Sequence, residues 1–175
     1  MPSADTTIDV RSLIDRPGAT RSLDRLVPAP GDLSDELIRL AGPVSIRARI
    51  DSVVDGLLVG GTVAAPVRLA CSRCLVEWND DVCSDVTELF TSGDAGATDD
   101  VEAGYDIVDA TIDLDVMIRD ALAAAMPVRP LCTTDCAGLC PTCGTDMNQG
   151  GCDGHPARPD QWWAALADLK FPDAR

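Results

Sequence analysis

Eight cysteines and a single histidine in a chain of 175 residues restrict the fold more than any other feature. Two C-x2-C pairs stand out, Cys71/Cys74 and Cys140/Cys143. Three further cysteines, Cys132, Cys136 and Cys152, crowd around the second pair, and the one histidine, His155, follows them. A C-x2-C turn brings two sulfurs onto one ion without strain, and a tetrahedral site wants four such ligands. One pair alone means little. Two pairs with three more cysteines and a histidine nearby point to a metal. The opening MPSADTTIDVRSLIDRPG lacks the basic-then-apolar order of a secretory leader, and no stretch approaches the roughly 18 consecutive apolar residues of a membrane span. The expected compartment is therefore the cytoplasm. Thiols stay reduced there, which favours metal or redox use over disulfides.

The ligands divide naturally. Cys140-x2-Cys143-x8-Cys152-x2-His155 makes a closed local knuckle, with Gly144, Gly150, Gly151 and Gly154 supplying the backbone freedom of a tight wrap. Cys71, Cys74, Cys132 and Cys136 remain as a second set, which would clip a strand hairpin near residue 71 to a segment far along the chain. Such a clip removes much unfolded-state entropy. The same spacing is compatible with one zinc shared by Cys71, Cys74, Cys140 and Cys143, with Cys132 and Cys136 as bystanders, and with thiols that hold no metal. The expectation is one or two structural Zn2+ ions. Cys83 lies in a strand pattern and is expected to be a buried, inert thiol.

These sets leave little room for catalysis. A catalytic zinc keeps an open position beside a general base, whereas each set here fills all four positions. The sequence has no H-E-x-x-H, no G-x-S-x-G and no glycine-rich phosphate loop. The lone histidine excludes a familiar triad unless it leaves the knuckle. The expectation is a protein that is not an enzyme and takes no small-molecule substrate. Neither C-x2-C pair opens a clear helix, as a thioredoxin-like motif would. A thiol- or zinc-responsive redox regulator is the alternative reading.

The rest of the chain reads as an α+β core over residues 1–126, followed by a Cys-rich zinc-binding segment over 127–175. Residues 8–16 predict a strand start and a short helix, 20–42 a connection, and LSDELIRL (33–40) one or two helical turns. VSIRARI (44–50) alternates apolar and polar residues, the signature of a half-buried strand. Asp55-Gly56 signals a turn. Residues 57–71 predict one long or two short strands, with a bulge or bend at Gly60-Gly61 and an edge position at Pro66. Another strand follows over 77–90. About four antiparallel strands in a meander, or a small barrel-like sheet, form the simplest topology. Residues 91–104 read as an acidic surface loop and YDIVDATIDL as a short strand. Asp113 is placed to cap a helix bearing Leu114, Met117, Ile118, Ala121, Leu122 and Ala125 on one face, which Pro127 ends. A short amphipathic helix with Trp162, Leu166 and Leu169 is expected near the C-terminus, with Trp163 pointing elsewhere. Aromatics make up only 3 % of the chain, so its core must be aliphatic.

The net charge is −15. Residues 1–70 are nearly neutral, with 8 basic and 9 acidic side chains, whereas residues 71–175 carry 6 and 20. Such a surface repels phosphate backbones and attracts basic partners.

CSRC after a hairpin, PLCTTDCAGLCPTCGTDMNQGGC after a capped helix and the closing WWAALADLK resemble the YceD family, the large ribosomal RNA subunit accumulation proteins. DVRSLIDRPGATRSLDRLVPAP is similar to the N-terminal segment of its high-GC bacterial members, so the resemblance spans about residues 8–172. It implies a cytoplasmic, noncatalytic factor needed for 23S rRNA accumulation and large-subunit biogenesis. It also implies a gene neighbourhood that includes a protein of that subunit. Cys71, Cys74, Cys132, Cys136, Cys140, Cys143 and Cys152 occupy the family's motif positions. Gly154-His155 stands where members carry a further cysteine. A protein tied to rRNA is expected to be basic, but this chain is acidic. The expected partner is therefore a basic ribosomal protein or a large-subunit precursor, with direct rRNA contact left open.

Overall fold

The computed structural model describes residues 6–92, 105–152, 154 and 155. The chain divides into two compact units, Met1–Cys136 and Ala137–Arg175. The first is an α+β unit built on one strongly curled sheet, and a single helix is found among its described residues.

Three long strands dominate: β4 (Val44–Val53), β5 (Gly56–Ala70) and β6 (Glu77–Ser92). Their order follows from alternation. Val44, Ile46 and Ile50 of β4 face inward, as do Leu57, Val59, Val63, Ala65, Val67 and Leu69 of β5 and Val82, Val86 and Phe90 of β6. Each of these side chains is buried, so the period of two sets one apolar face against the core.

Gly60 and Gly61 do not form the expected bulge. Pairing runs through them without interruption, Ala48↔Gly61 on one side and Gly61↔Val86 on the other. The smallness of Gly61 serves close approach of strands: a Cβ there would strike the Arg47 carbonyl and lie 2.8 Å from the Ala48 Cβ, whereas one on Gly60 would meet nothing within 4 Å. Pro66 sits in an internal strand, but at a change of partner. β4 pairs with β5 as far as Ser45↔Ala64, and β3 (Ile38–Leu40) begins at Leu40↔Val67. In the gap, Pro66 presents only its carbonyl, which accepts from the Ala41 N–H at 2.8 Å. A residue without an N–H is tolerated there because no ladder needs one.

The expected connection at 20–42 contains two strands. β2 (Thr20–Val27) pairs with β4 over its whole length. LSDELIRL is not helical. The Asp35 carboxylate accepts from the Leu37 and Ile38 N–H groups, each at 2.7 Å, and this local turn competes with a helix and delivers Ile38 into β3. The expected helix at 11–16 is likewise a turn, closed by Leu13 and Ile14 donating to the Val10 carbonyl.

The sheet is mixed, which corrects the antiparallel meander. Its order is β1-β8-β7-β6-β5-β4-β2, with β3 beside β5. β1 (Thr7–Asp9), β7 (Tyr105–Val108) and β8 (Thr111–Asp113) complete it. β7 runs parallel to β6, Phe90↔Tyr105 to Ser92↔Ile107. Parallel neighbours need a connection of a dozen or so residues, and residues 93–104 are long enough to supply it. A tight turn joins β7 to β8 with Asp109 and Ala110 at φ 50° and 58°, the geometry that matches hairpin twist. Of the expected acidic loop, Thr91 and Ser92 belong to β6 and the remainder lies outside the described residues.

Helix α1 (Asp115–Ala125) buries Met117, Ile118, Ala121 and Leu122 against β5 and β6. Asp113 serves the first turn as expected, accepting from the Asp115 N–H at 3.0 Å, although Leu114 occupies the cap position itself. Met126 is extended at φ −69°, ψ 133°, the conformation imposed by the following Pro127. Arg119 pairs with both Asp115 and Asp32, tying the 31–35 loop to the helix. The expected helix around Trp162, Trp163, Leu166 and Leu169 lies outside the described residues.

Gly61→Ala is expected to destabilise the first unit by about 1–3 kcal/mol, because backbone rather than a movable side chain blocks the new methyl. Urea unfolding followed by circular dichroism measures it.

Candidate metal centres

The β5–β6 hairpin ends in the turn that carries Cys71 and Cys74. The Leu75 N–H donates to the Cys71 carbonyl and the Cys71 N–H donates to the Val76 carbonyl, each at 2.9 Å. The Arg73 N–H points at the Cys71 sulfur, 3.4 Å away. Cys132 and Cys136 reach this turn from the segment after α1. That segment is held by the Ser72 N–H on the Pro130 carbonyl at 2.9 Å, and by the Arg73 guanidinium on the Cys136 carbonyl at 2.7 Å.

In the second unit, the Cys140/Cys143 turn repeats the same framework. The Gly144 N–H donates to the Cys140 carbonyl at 2.9 Å, and the Cys140 N–H donates to the Thr145 carbonyl at 2.8 Å. Four residues after its first cysteine, each turn requires a left-handed residue: Gly144 at φ 72° and Leu75 at φ 60°. Glycine adopts that conformation freely and leucine only under strain. The Asp146 carboxylate then accepts from the Asn148 N–H at 2.9 Å, starting a 3₁₀ turn at Met147–Gln149. Gly150 and Gly151, at φ 117° and 75°, reverse the chain and bring Cys152 back to Cys140.

All eight cysteines are free thiols. Their sulfurs gather as Cys71, Cys74, Cys132, Cys136 and as Cys140, Cys143, Cys152 with His155; within each set the ligand atoms lie within 4.8 Å of one another. The Cys71 and Cys136 sulfurs are 3.7 Å apart, Cys74 and Cys132 3.5 Å, and Cys140 and Cys152 3.5 Å. An ion bound tetrahedrally with sulfur bonds of about 2.3 Å sets ligand edges of about 3.8 Å. Both sets fit such an ion, and neither leaves a fourth position to fill. Cys71 and Cys136 are 0 % and 1 % exposed. Cys74 and Cys152 are half-buried, and Cys132, Cys143 and His155 lie at the surface.

Cys83 is exposed, not buried. In β6 the even-numbered residues Val82, Val86 and Phe90 turn inward, which sends Cys83 outward opposite Ala64.

Crowding drives the thiols of each set apart in acidity. Burial opposes ionisation of Cys71, but the N–H groups of Cys132, Cys74 and Arg73 outweigh it and bring its pKa down to about 6. The Val76 N–H favours the Cys74 thiolate, yet burial and the neighbouring sulfurs of Cys132, Cys71 and Cys136 push it up to about 12. In the second set, the Thr145 hydroxyl 3.1 Å away, the Thr145 N–H and His155 lower Cys143 to about 6. The Cys143 sulfur in turn raises His155. Four thiolates cannot ionise together at this spacing, and a divalent cation at the centre removes the conflict.

Sequence reasoning did not find the supporting groups: Arg73 on the Cys136 carbonyl, Thr145 on the Cys143 sulfur, and strained Leu75. Only Thr145 left a usable signal, as the hydroxyl residue beside Gly144 in C-P-T-C-G-T.

A curled, mixed sheet whose long hairpin ends in a cysteine turn, with a second cysteine knuckle following, defines a fold but not a chemistry. Comparison with known proteins goes further. Residues 59–170 match the family described as large ribosomal RNA subunit accumulation protein YceD. A protein of Mycobacterium leprae is 37 % identical over 171 residues, covering 94 % of this chain and 77 % of that one. One of Mycobacterium tuberculosis is 37 % identical over 173 residues, covering 96 % and 83 %. A protein of Arabidopsis thaliana described as a chloroplastic YCED homolog of the same accumulation family is 24 % identical over 156 residues, 73 % of this chain and 49 % of its own. No solved structure matches. The chain belongs to the YceD family.

In the reduced, metal-free protein, Cys71 is expected to be a thiol below pH 6 and a thiolate above it. Ultraviolet thiolate absorbance should therefore rise in a step near pH 6. Cys71→Ser should shorten that step by one thiolate.

Proposed function

We propose that this protein is a noncatalytic factor supporting 23S rRNA accumulation and large-subunit biogenesis, and that it acts by holding a basic ribosomal protein. The family's description supplies the process. The observation that carries the mode of action is the outward face of β6. Glu77, Asp81 and Asp85 are exposed on it, beside Asn79 and Cys83. Their neighbours on β5 are Ala70, Pro66 and Thr62, and among the described residues none of the three acids forms an ion pair. Arg68, opposite Asn79, is the cation beside this row; with three carboxylates to that one guanidinium, the strand face disfavours rRNA phosphate and steers a cationic protein toward itself.

Two structural zinc ions complete this reading. Soft thiolate ligands in closed tetrahedral sets suit Zn2+, which then serves as scaffold. Zinc leaves the surface acidic, because four thiolates around one ion retain a net charge of about −2.

The test is binding of purified full-length protein to isolated large-subunit ribosomal proteins and to naked 23S rRNA. Retention of a basic ribosomal protein without rRNA is expected. Capture of rRNA alone would reject the mode of action. Neutralising the β6 row as Glu77→Gln, Asp81→Asn and Asp85→Asn should slow association about 10-fold at low salt and flatten its salt dependence. Stopped-flow rates at several ionic strengths measure this. Depletion in cells should lower 23S rRNA relative to 16S.

A further inference from the structure

The two cysteine sets stand in different surroundings. The first is attached to a unit whose aliphatic core is complete without an ion: Val59, Val63, Phe90, Ile118 and Leu122 are all fully buried. The second has no such core among its described residues. Among its described residues the only buried apolar side chain is Cys140, itself a ligand, while Leu139 is half-buried and Met147 is 36 % exposed. None of its described residues belongs to the hydrophobic cluster.

Its backbone is also costly to order. Gly138, Gly144, Gly150, Gly151 and Gly154 all hold positive φ, and glycine loses more freedom on folding than any other residue. Among the described residues the segment is held by the two backbone bonds of the Cys140 turn, by the Met147 N–H on the Gly138 carbonyl at 2.8 Å, and by turn bonds around Asp146 and Asn148 that are mostly exposed to water. Exposed hydrogen bonds exchange freely with solvent and stabilise little. The ligands themselves span only residues 140–155, so an ion held by them closes no long loop of chain.

We infer that Cys140, Cys143, Cys152 and His155 form a divalent-metal site whose ion takes the place of a hydrophobic core. Residues 137–152 fold when it binds and unfold when it leaves, while the sheet stays folded. The inference rests on the zinc reading above and adds to it that the two sites differ in role. The first ion clips a unit already held by packing. The second ion is the fold of its segment, so metal supply decides whether that segment has a structure at all.

The test uses the reduced full-length chain, stripped of metal and titrated with Zn2+ under anaerobic conditions. Native mass spectrometry counts the ions, and hydrogen exchange reads each segment. Removing zinc should speed amide exchange in 137–152 at least about 10-fold, toward unstructured rates, and leave 44–70 and 77–92 unchanged. His155→Ala and Cys143→Ser should each lose one ion and the protection of 137–152 even in Zn2+, with the sheet amides reporting an intact fold. Retained protection of 137–152 in the stripped chain would overturn the inference while leaving the zinc reading standing. So would loss of protection in 137–152 and in the sheet together on a single ion's departure. Failure of this set to take up Zn2+ would overturn both.

Discussion

Backbone pairing between β5 and β6 runs from Leu57↔Phe90 to Ala70↔Glu77 without a break. The other strands and the helix take their positions from it. β4 and β3 share the far side of β5, α1 packs across β5 and β6, and β7 extends the sheet from the end of β6. A two-stranded ribbon of this length has too little buried surface to stand alone. It becomes stable because inward residues of both strands meet those of β4 and α1 in one aliphatic core. Its far end projects the Cys71–Cys74 turn to where the chain returns after α1. The same ladder that organises the core thus sets the geometry of the first cysteine set.

The second constraint is electrostatic. Thiolates within 4.8 Å of one another resist joint ionisation, and the opposed acidities of Cys71 and Cys74 express that conflict. The turns answer it with N–H groups aimed at sulfur and, in the second unit, with the Thr145 hydroxyl. Two segments of unlike sequence, CSRCLV and CPTCGT, arrive at one hydrogen-bond framework. Its requirement for a left-handed residue is met by glycine in one and imposed on leucine in the other.

Much of this was legible in the residues. Alternation marked β4, helical spacing marked α1, and cysteine spacing offered, beside a single shared site, the two groupings that the structure brings together. The misses have physical causes. TRSLDRLV buries only Leu23 and Val27, every fourth residue, so β2 lacks the strand period, and its pairing with β4 is a tertiary effect. LSDELIRL has a helical pattern that the Asp35 turn overrides. The parallel β6–β7 pairing depends on where a twelve-residue connection leads, which local sequence does not encode. Cys83 was misplaced because acidic β6 hides its inward face: only Val82, Val86 and Phe90 reveal the parity.

β1 closes the sheet at the β8 edge, where Ile8 meets Ile112. β1 is made well before its partner, which follows about a hundred residues later, and until then Ile8, Val10 and Leu13 stay unburied. Contacts of that span form late, because the intervening chain must already be compact before closing it is favourable. The central strands of a nascent chain therefore pair before β1 is stitched to β8. The β1 segment is thus the natural place for folding to stall or be chaperoned.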